Sequence, residues 1–499
     1  MSNLIGGNGQ GFFQNLDDQT KTWISECFEN RPFCINFPGG AEANIATPNK
    51  MLKGWGLTEQ IINDRFGAGQ PDENGEGLDK WLGKLSQQNS APRSYIYELQ
   101  DFITQFPKCE IIWKSNIVTS TLDDAKSSFA EVKDVSNFTR CVMGNEVYSK
   151  GNFSFDFNAF LVKAKPLMEW IKANYPDVKI AVPFAPNIDR GDHMKWNTAL
   201  MEFVNNTDLV DAVDIHIYLG SDELVEAYAT YPVNKIKYEE GVFYPELSCF
   251  DTFCHEYETN TAWESRISFL EQNLPTKEIW MTEFSTNPSG NFGNSFANAA
   301  FIFNRFMKFS HRITNMCVHN LVSPDIYGTI SRSDKFDTVN TVNTRRTGYY
   351  ALKLASIALD KGAIPLSSNQ TITGNTTFWT DNSRDDLFET IVTSGSGKLL
   401  DVLNVNSFNT PYTYLSIGKV GYISNTTQPF DNEGELTYEL GSFPLGETAD
   451  STIHGTSFGV YEYTVKNTPP PPPVPCKKKW FQFWLPKCNP IKINNVTQL

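Results

Sequence analysis

Up to about residue 360 the chain repeats one pattern: a short apolar run, a turn, then a longer segment with apolar residues at helical spacing. The runs fall at residues 4–11, 32–37, 109–116, 141–146, 178–184, 213–218, 278–283 and 313–320. The first is weak, because glycines interrupt it. The second is stopped by Pro38-Gly39-Gly40. Helical spacing marks residues 94–103, 157–174 (with Phe160, Leu161, Leu167 and Ile171 on one side), 196–204, 263–274, 295–309 and 348–359. Short apolar strands alternating with helices predict parallel pairing. Eight such units in about 360 residues predict a (β/α)8 TIM barrel over 1–360, although a doubly wound open sheet gives the same alternation. Residues 219–260 are long, aromatic and irregular, and an insertion of that length usually sits on a functional face.

Beyond Lys361-Gly362 the helical spacing stops. Short strand-like runs follow at 377–380, 387–393, 399–405, 412–417 and 458–465, with turn residues between them. That spacing predicts an all-β, antiparallel sandwich over 361–466. A Pro-rich linker covers 467–475, where residues 469–473 are all proline and should run extended at about 3.1 Å per residue. The tail, 476–499, holds five lysines, no acid, and Trp480, Phe481, Phe483 and Trp484. It is too short for a core of its own, so it reads as a segment that docks on the acidic body, a larger assembly or a surface.

Composition narrows the functional classes. Forty-two basic against fifty-seven acidic residues give a net charge of −15, which argues against a nucleic-acid partner. No apolar run approaches the roughly 20 residues that span a bilayer. The first residues, Met1 to Gly7, lack the charged and apolar regions of a signal peptide; an extracellular, cell-surface or virion-associated location is still favoured over the cytoplasm. The glycines at 6, 7, 9 and 11 superficially suggest a phosphate loop, but no Gly-Lys-Ser/Thr follows. Nine cysteines and six histidines show no metal-ligand spacing, so no metal and no cofactor is expected. Cys34, Cys109, Cys141 and Cys317 read as buried thiols. Cys249 and Cys254, and likewise Cys476 and Cys488, are close enough in sequence to bridge.

Two of the strands carry the candidate chemistry. Gly144-Asn145-Glu146 closes the fourth run and Thr282-Glu283-Phe284 the seventh. Two parallel strands, each delivering a carboxylate at its C-terminal end, would set both at the face where such barrels hold their active sites. A pair of carboxylates about 5–5.5 Å apart can cleave a glycosidic bond with retention: one attacks while the other protonates the leaving oxygen and then activates water.

These residues resemble the retaining clan A glycoside hydrolases, a group of (β/α)8 barrels with a C-terminal β-sandwich that includes arabinofuranosidases, β-xylosidases and β-glucuronidases. Phe37-Pro38-Gly39-Gly40-Ala41-Glu42-Ala43-Asn44 is similar to a motif after the second strand, and His216-Ile217-Tyr218 to the sixth-strand His-x-Tyr. The resemblance spans roughly residues 1–466. It implies a carbohydrate substrate, Glu146 as acid/base and Glu283 as nucleophile. It also implies that Asn145 contacts the sugar 2-hydroxyl and that Tyr218 donates to Glu283. Family members commonly carry arginine before F-P-G-G and tryptophan ending the eighth strand; here Asn36 and Val318-His319-Asn320 stand there, which leaves the substrate class open.

Further candidates for sugar contact are His216, the platforms Trp55, Trp113, Phe184 and Tyr148, and the amides Asn116 and Asn187. An alternative of another class is a catalytically degenerate barrel that serves as a carbohydrate-binding or structural surface protein.

Overall fold

Eight parallel strands close into a barrel in sequence order, and each strand hydrogen-bonds to its neighbours in the chain. They are β1 (Leu4–Asn8), β2 (Phe33–Phe37), β3 (Cys109–Ser115), β4 (Arg140–Met143), β5 (Lys179–Phe184), β6 (Ala212–Tyr218), β7 (Glu278–Ser285) and β8 (Asn315–Val318). β1 pairs with β8 to complete the ring. In this computed structural model the described residues are 3–9, 16–45, 58–66, 82–83, 85–86, 95–136, 138–148, 155–218, 263–286, 296–323, 328–331, 344–365, 376–381, 413–425, 436–440 and 457–467. Two strands are shorter than the apolar runs suggested: β4 ends at Met143, before the Gly-Asn-Glu turn, and β8 covers only Asn315–Val318.

The helices between the strands are α1 (Asp18–Phe28), α2 (Glu59–Phe66), α3 (Tyr95–Gln105), α4 (Leu122–Ser136), α5 (Phe157–Asn174), α6 (Gly191–Asn205), α7 (Trp263–Asn273) and α8 (Phe296–Phe309), with α9 (Thr347–Asp360) after the barrel. Their starts are chemically specified. Asp17 caps α1 by accepting from the Thr20 amide at 2.7 Å, and Asp156 caps α5 through the Ala159 amide at 2.8 Å. No helix of the described residues is long and apolar enough to cross a membrane.

Strand alternation sorts the side chains into two cores. Ile35, Phe37, Ile111, Trp113, Cys141, Val182, Ile215 and Met281 belong to the large cluster between strands and helices. Leu4, Cys34, Ile112, Val142, Ala181, Ala212, Trp280 and Cys317, one from each strand, form a separate cluster that plugs the barrel. Period-two geometry requires this sorting, since successive side chains point to opposite faces. Above the apolar plug the inward positions turn polar: Asn36, Lys114, Asp214, His216 and Thr282 are all buried there.

The glycines of β1 are set by close approach, not by phosphate binding. A Cβ on Gly6 would lie 1.7 Å from the carbonyl oxygen of Cys34. Gly6→Ala should therefore separate β1 from β2 at the barrel seam. The expected loss is about 3 kcal/mol or more of stability, read as a large drop in Tm or in soluble yield. A variant with wild-type Tm would show that β1 is not seated in this way.

After β8 come three two-residue strands, β9 (Val322–Ser323), β10 (Ile330–Ser331) and β11 (Thr344–Arg345), which form a small sheet. The remaining strands are β12 (Ile364–Pro365), β13 (Thr376–Asp381), β14 (Thr413–Asn425), β15 (Leu436–Leu440) and β16 (Ser457–Asn467). Among the described residues these make one five-stranded sheet in the order β12-β13-β16-β14-β15, antiparallel except for the first pair. It contacts α9 through β13, β14 and β16, and Val460 is part of the large core. The runs at 387–393 and 399–405, the insertion at 219–260, the linker beyond Asn467 and the tail lie outside the described residues, as do Trp55, Cys249, Cys254, Cys476 and Cys488. Cys34, Cys141 and Cys317 are buried free thiols; Cys109, also free, is only partly buried.

Candidate active site

Local backbone chemistry places the two glutamates. After β4 the chain turns at Gly144, where φ is +83° and a Cβ would meet Val147 at 2.8 Å. Asn145 is then held on both sides by Asn44, whose side chain donates to its carbonyl at 2.7 Å and accepts from its amide at 2.9 Å. Glu146 follows with φ +45°, a left-handed conformation unusual for a non-glycine residue. Such strain persists where the surroundings over-determine it, often at functional sites. This is the physical content of the Gly-Asn-Glu sequence: a turn, an anchor, then an aimed carboxylate.

Glu283 reaches the mouth by another device. Asp214 pairs with Trp280 and His216 with Glu283, so β7 has one residue more than β6 over this interval. The register against β8 also shifts here. Strict alternation would send Glu283 outward beside Met281. The bulge brings Thr282 and Glu283 together into the polar cluster and leaves Phe284 in the outer core.

One oxygen of Glu146, one of Glu283 and a ring nitrogen of His216 all lie within 4.8 Å of one another. His216 Nδ1 is 2.8 Å from Glu146 Oε1 and 3.7 Å from Glu283 Oε2. The Glu146 side chain is 23% exposed, that of Glu283 only 3%, so Glu146 stands nearer the solvent. Glu283 accepts from the Gly40 amide at 2.9 Å and from the Tyr218 hydroxyl at 2.8 Å. Lys114 Nζ and His319 Nδ1 each lie 3.6 Å from its carboxylate. Burial would push the Glu283 carboxyl up; the charges of His216, Lys114 and His319 and the Tyr218 hydrogen bond hold it well below the usual carboxylate range.

Beneath the two glutamates lies a buried ion network. Thr282 Oγ1 donates to Asp214 Oδ2 at 2.7 Å and the Thr282 amide to Oδ1 at 3.0 Å. Lys114 Nζ donates to Asn145 Oδ1 at 2.6 Å and lies 3.6 Å from Asp214 and 3.0 Å from His216 Nε2. Burial and Lys114 both oppose a charge on His216, but Glu283 and Asp214 outweigh them and push its pKa up to about 9. Burial likewise works against the Asp214 carboxylate, and Lys114 and His216 outweigh it, so its pKa is lowered.

A pH dependence of stability follows. A histidine whose pKa is raised on folding adds stability that is fully present below its ordinary value of 6.5 and is lost as pH rises toward about 9. Asp214 and Glu283, both lowered, add stability that is lost as pH falls below the carboxylate range. Tm should therefore decline between pH 6.5 and about 9, by an amount worth on the order of a few kcal/mol. His216→Gln should start lower and lack that slope; equal slopes in both proteins would refute the charged imidazole.

The remaining candidates divide. Tyr148 sits beside the site, edge-on to His193 and Trp196. Burial, and then the charges of Glu146, Asp214 and Glu283, hold its hydroxyl well above the usual tyrosine range. Asn187 is at the same rim, accepting from Arg266 at 2.9 Å. Two expected platforms are core residues instead. Phe184 is fully buried against Phe269, and Trp113 packs between Phe37 and Phe138, because both lie on the helix-facing side of their strands. Asn116 turns its amide onto its own loop, accepting from the Val118 and Thr119 amides at 3.0 Å. Asn36 donates to the Thr282 carbonyl at 3.3 Å and brings no charge. His216, a sugar-contact candidate, is engaged mainly with Glu146 and the buried network. Lys114, Asp214, Asn44 and His319 were not anticipated. The signal for Lys114 and Asp214 was alternation: each is a charged residue on the inward face of an apolar strand.

The three groups within 4.8 Å have the number and reach of metal ligands, and the ammonium of Lys114, 3.6 Å from Glu283, would repel a divalent ion there.

A closed parallel barrel with this polar cluster at the C-terminal ends of its strands belongs, by architecture, with the (β/α)8 barrels whose active sites lie at that face. Solved structures with the same fold include an α-L-arabinofuranosidase from Thermotoga maritima in complex with arabinose, with TM-score 0.53 and 12% identity over 93% of this chain and 96% of that one. A family 51 α-L-arabinofuranosidase from Bifidobacterium longum gives TM-score 0.54 and 9% identity over 93% of this chain and 95% of that one. At these identities the likeness is one of fold. No protein-family profile matches the sequence, and no curated protein is similar to it in sequence.

Proposed function

We propose that the protein is a retaining glycoside hydrolase that cleaves O-glycosidic bonds of a poly- or oligosaccharide. The observation that carries this reading is the pair of glutamates with oxygens within 4.8 Å across the barrel mouth. An oxygen-to-oxygen approach of that size suits the roughly 5–5.5 Å of retaining enzymes better than the roughly 6.5–9.5 Å across which an inverting enzyme places its water. Glu146 gives its proton to the glycosidic oxygen while Glu283 attacks the anomeric carbon. The C–O bond to the leaving group breaks and an ester to Glu283 forms. Glu146, now a carboxylate, takes a proton from water; the water oxygen attacks the anomeric carbon, and Glu283 leaves as a carboxylate. Two inversions restore the starting configuration.

The network supports these unequal roles. The deeper glutamate is held ionised by surrounding cations and donors, and the shallower one faces the leaving group. In this reading Asn145 meets the sugar 2-hydroxyl and Tyr148 lines the leaving-group side. The two arabinofuranosidases that share the fold make aryl α-L-arabinofuranosides the first substrates to try, followed by xylosides, glucuronides and glucosides. Proton NMR of the first-formed sugar tests the mechanism: the starting anomer supports it, and the opposite anomer refutes it. A barrel that binds carbohydrate without cleaving it is the competing reading. It would have no need for the support around Glu283, and binding without turnover across the panel would select it.

A further inference from the structure

We infer that Lys114 is a positioning residue for this reaction, its ammonium fixing the amide of Asn145 and the carboxylate of Glu283 from beneath the sugar site. The inference rests on the glycosidase reading. Lys114 lies on β3, its side chain 0% exposed. It contacts groups from three other parts of the barrel mouth: Asn145 after β4, Asp214 and His216 on β6, and Glu283 on β7. Neither carboxylate can move without changing its distance from this one nitrogen.

An ammonium has three hydrogens and accepts nothing, so the atom of an amide that it meets must be the oxygen. At 2.6 Å it bonds Asn145 Oδ1, which settles an amide that could otherwise be turned either way. The backbone of Asn145 is already held on both sides by Asn44. The group left to face a sugar is therefore the NH2, a donor only. Asn145 thus selects a substrate atom that accepts, such as a hydroxyl oxygen oriented away from its own hydrogen.

The contact with His216 Nε2, 3.0 Å, is not a hydrogen bond while both groups are charged. The Nε2 nitrogen also lies 3.0 Å from Thr282 Oγ1 and 3.3 Å from Asp214 Oδ2, and the Thr282 hydroxyl itself donates to Asp214. Two cations this close need two anions, and Asp214 and Glu283 are those anions, each 3.6 Å from Lys114. His319, 3.6 Å from Glu283, completes the surroundings after β8, and Glu146 joins them through His216. Asn36, on the adjacent strand β2, brings only a neutral amide toward β7. The steady cation that a carboxylate nucleophile needs comes from β3.

Two substitutions separate the roles. Lys114→Met keeps bulk and loses both donor and charge. Lys114→Gln keeps a donor for Asn145 and loses the charge. For Lys114→Met, kcat/KM should fall by about 10²–10³-fold, the range for removing one preorganised donor. The acidic limb of its pH profile should move up by about one unit or more, because Glu283 has lost a neighbouring opposite charge. Lys114→Gln should recover part of the rate but keep the displaced limb, and it carries the test if the Met variant does not fold. If both variants lower only Tm and the acidic limb stays in place, the residue is structural and the proposal is overturned. A Gln variant no faster than Met overturns the Asn145 part. Titration of 13C-labelled glutamate carboxyls needs no turnover: the Glu283 signal should titrate at higher pH in Lys114→Gln than in wild type. If the wild type cleaves no glycoside, the hydrolase reading fails, and an unmoved Glu283 titration overturns the charge role of Lys114 separately.

Discussion

Glu283→Ala should lower kcat by about 10⁴-fold or more on every glycoside the wild type cleaves, the scale for removing a covalent nucleophile. Glu283 is strongly set in the ionised form, with the Gly40 amide and Tyr218 hydroxyl at 2.9 and 2.8 Å and Lys114, His216 and His319 beyond them. Such preorganisation matters when the group must attack without first shedding a proton. Removing the side chain also opens space on that face of the sugar. Azide added to Glu283→Ala should occupy that space, attack the anomeric carbon directly and give a glycosyl azide of inverted configuration. A variant that keeps more than about a hundredth of wild-type kcat, or a rescued product of retained configuration, would remove Glu283 from the nucleophile role. Thermal unfolding must accompany the assay, because the loss of a buried anion leaves Lys114 with Asp214, and His216 with Asp214 and Glu146.

Much of this arrangement was legible in the chain. The alternation of apolar runs and helical segments predicted eight parallel strands, because strands buried on both faces lose their polar positions. Gly144-Asn145-Glu146 pointed to a carboxylate at the end of the fourth strand, although the strand stops at Met143 and a turn makes the delivery. Three features were less legible. The run 278–285 reads as an uninterrupted strand, and nothing in it announces the bulge that turns Glu283 inward; that register depends on pairing with β6 and β8. Phe184 and Trp113 are aromatic residues near strand ends, but whether a ring faces the mouth or the helices depends on which alternate face is inward, and counting forward from Ile112 and Ala181 decides it. Asn44 lies a hundred residues before its partner, and only closure of the barrel brings the two together.

Glu146→Ala should give losses that depend on the leaving group. Where the departing alcohol is a sugar hydroxyl, the missing proton should cost about 10²–10⁴-fold in kcat/KM, the range for general acid catalysis. Where it is 2,4-dinitrophenolate, which leaves without help, kcat/KM should stay close to wild type. The second step then becomes slow, since no base activates water, and the glycosyl ester on Glu283 should accumulate as a burst. Azide needs no such base and should restore turnover with a product of retained configuration, the opposite outcome to Glu283→Ala. The pattern also tests the nearest rival donor. His216 Nδ1 is 2.8 Å from Glu146 Oε1 and its pKa is raised to about 9, so a protonated imidazole stands beside the proposed acid. If His216 were the donor, Glu146→Ala would lose rate equally on good and poor leaving groups. The burial of His216 beneath Glu146, with side-chain exposures of 3% and 23%, favours the glutamate, because the leaving oxygen must be reached from the solvent side of the cleft.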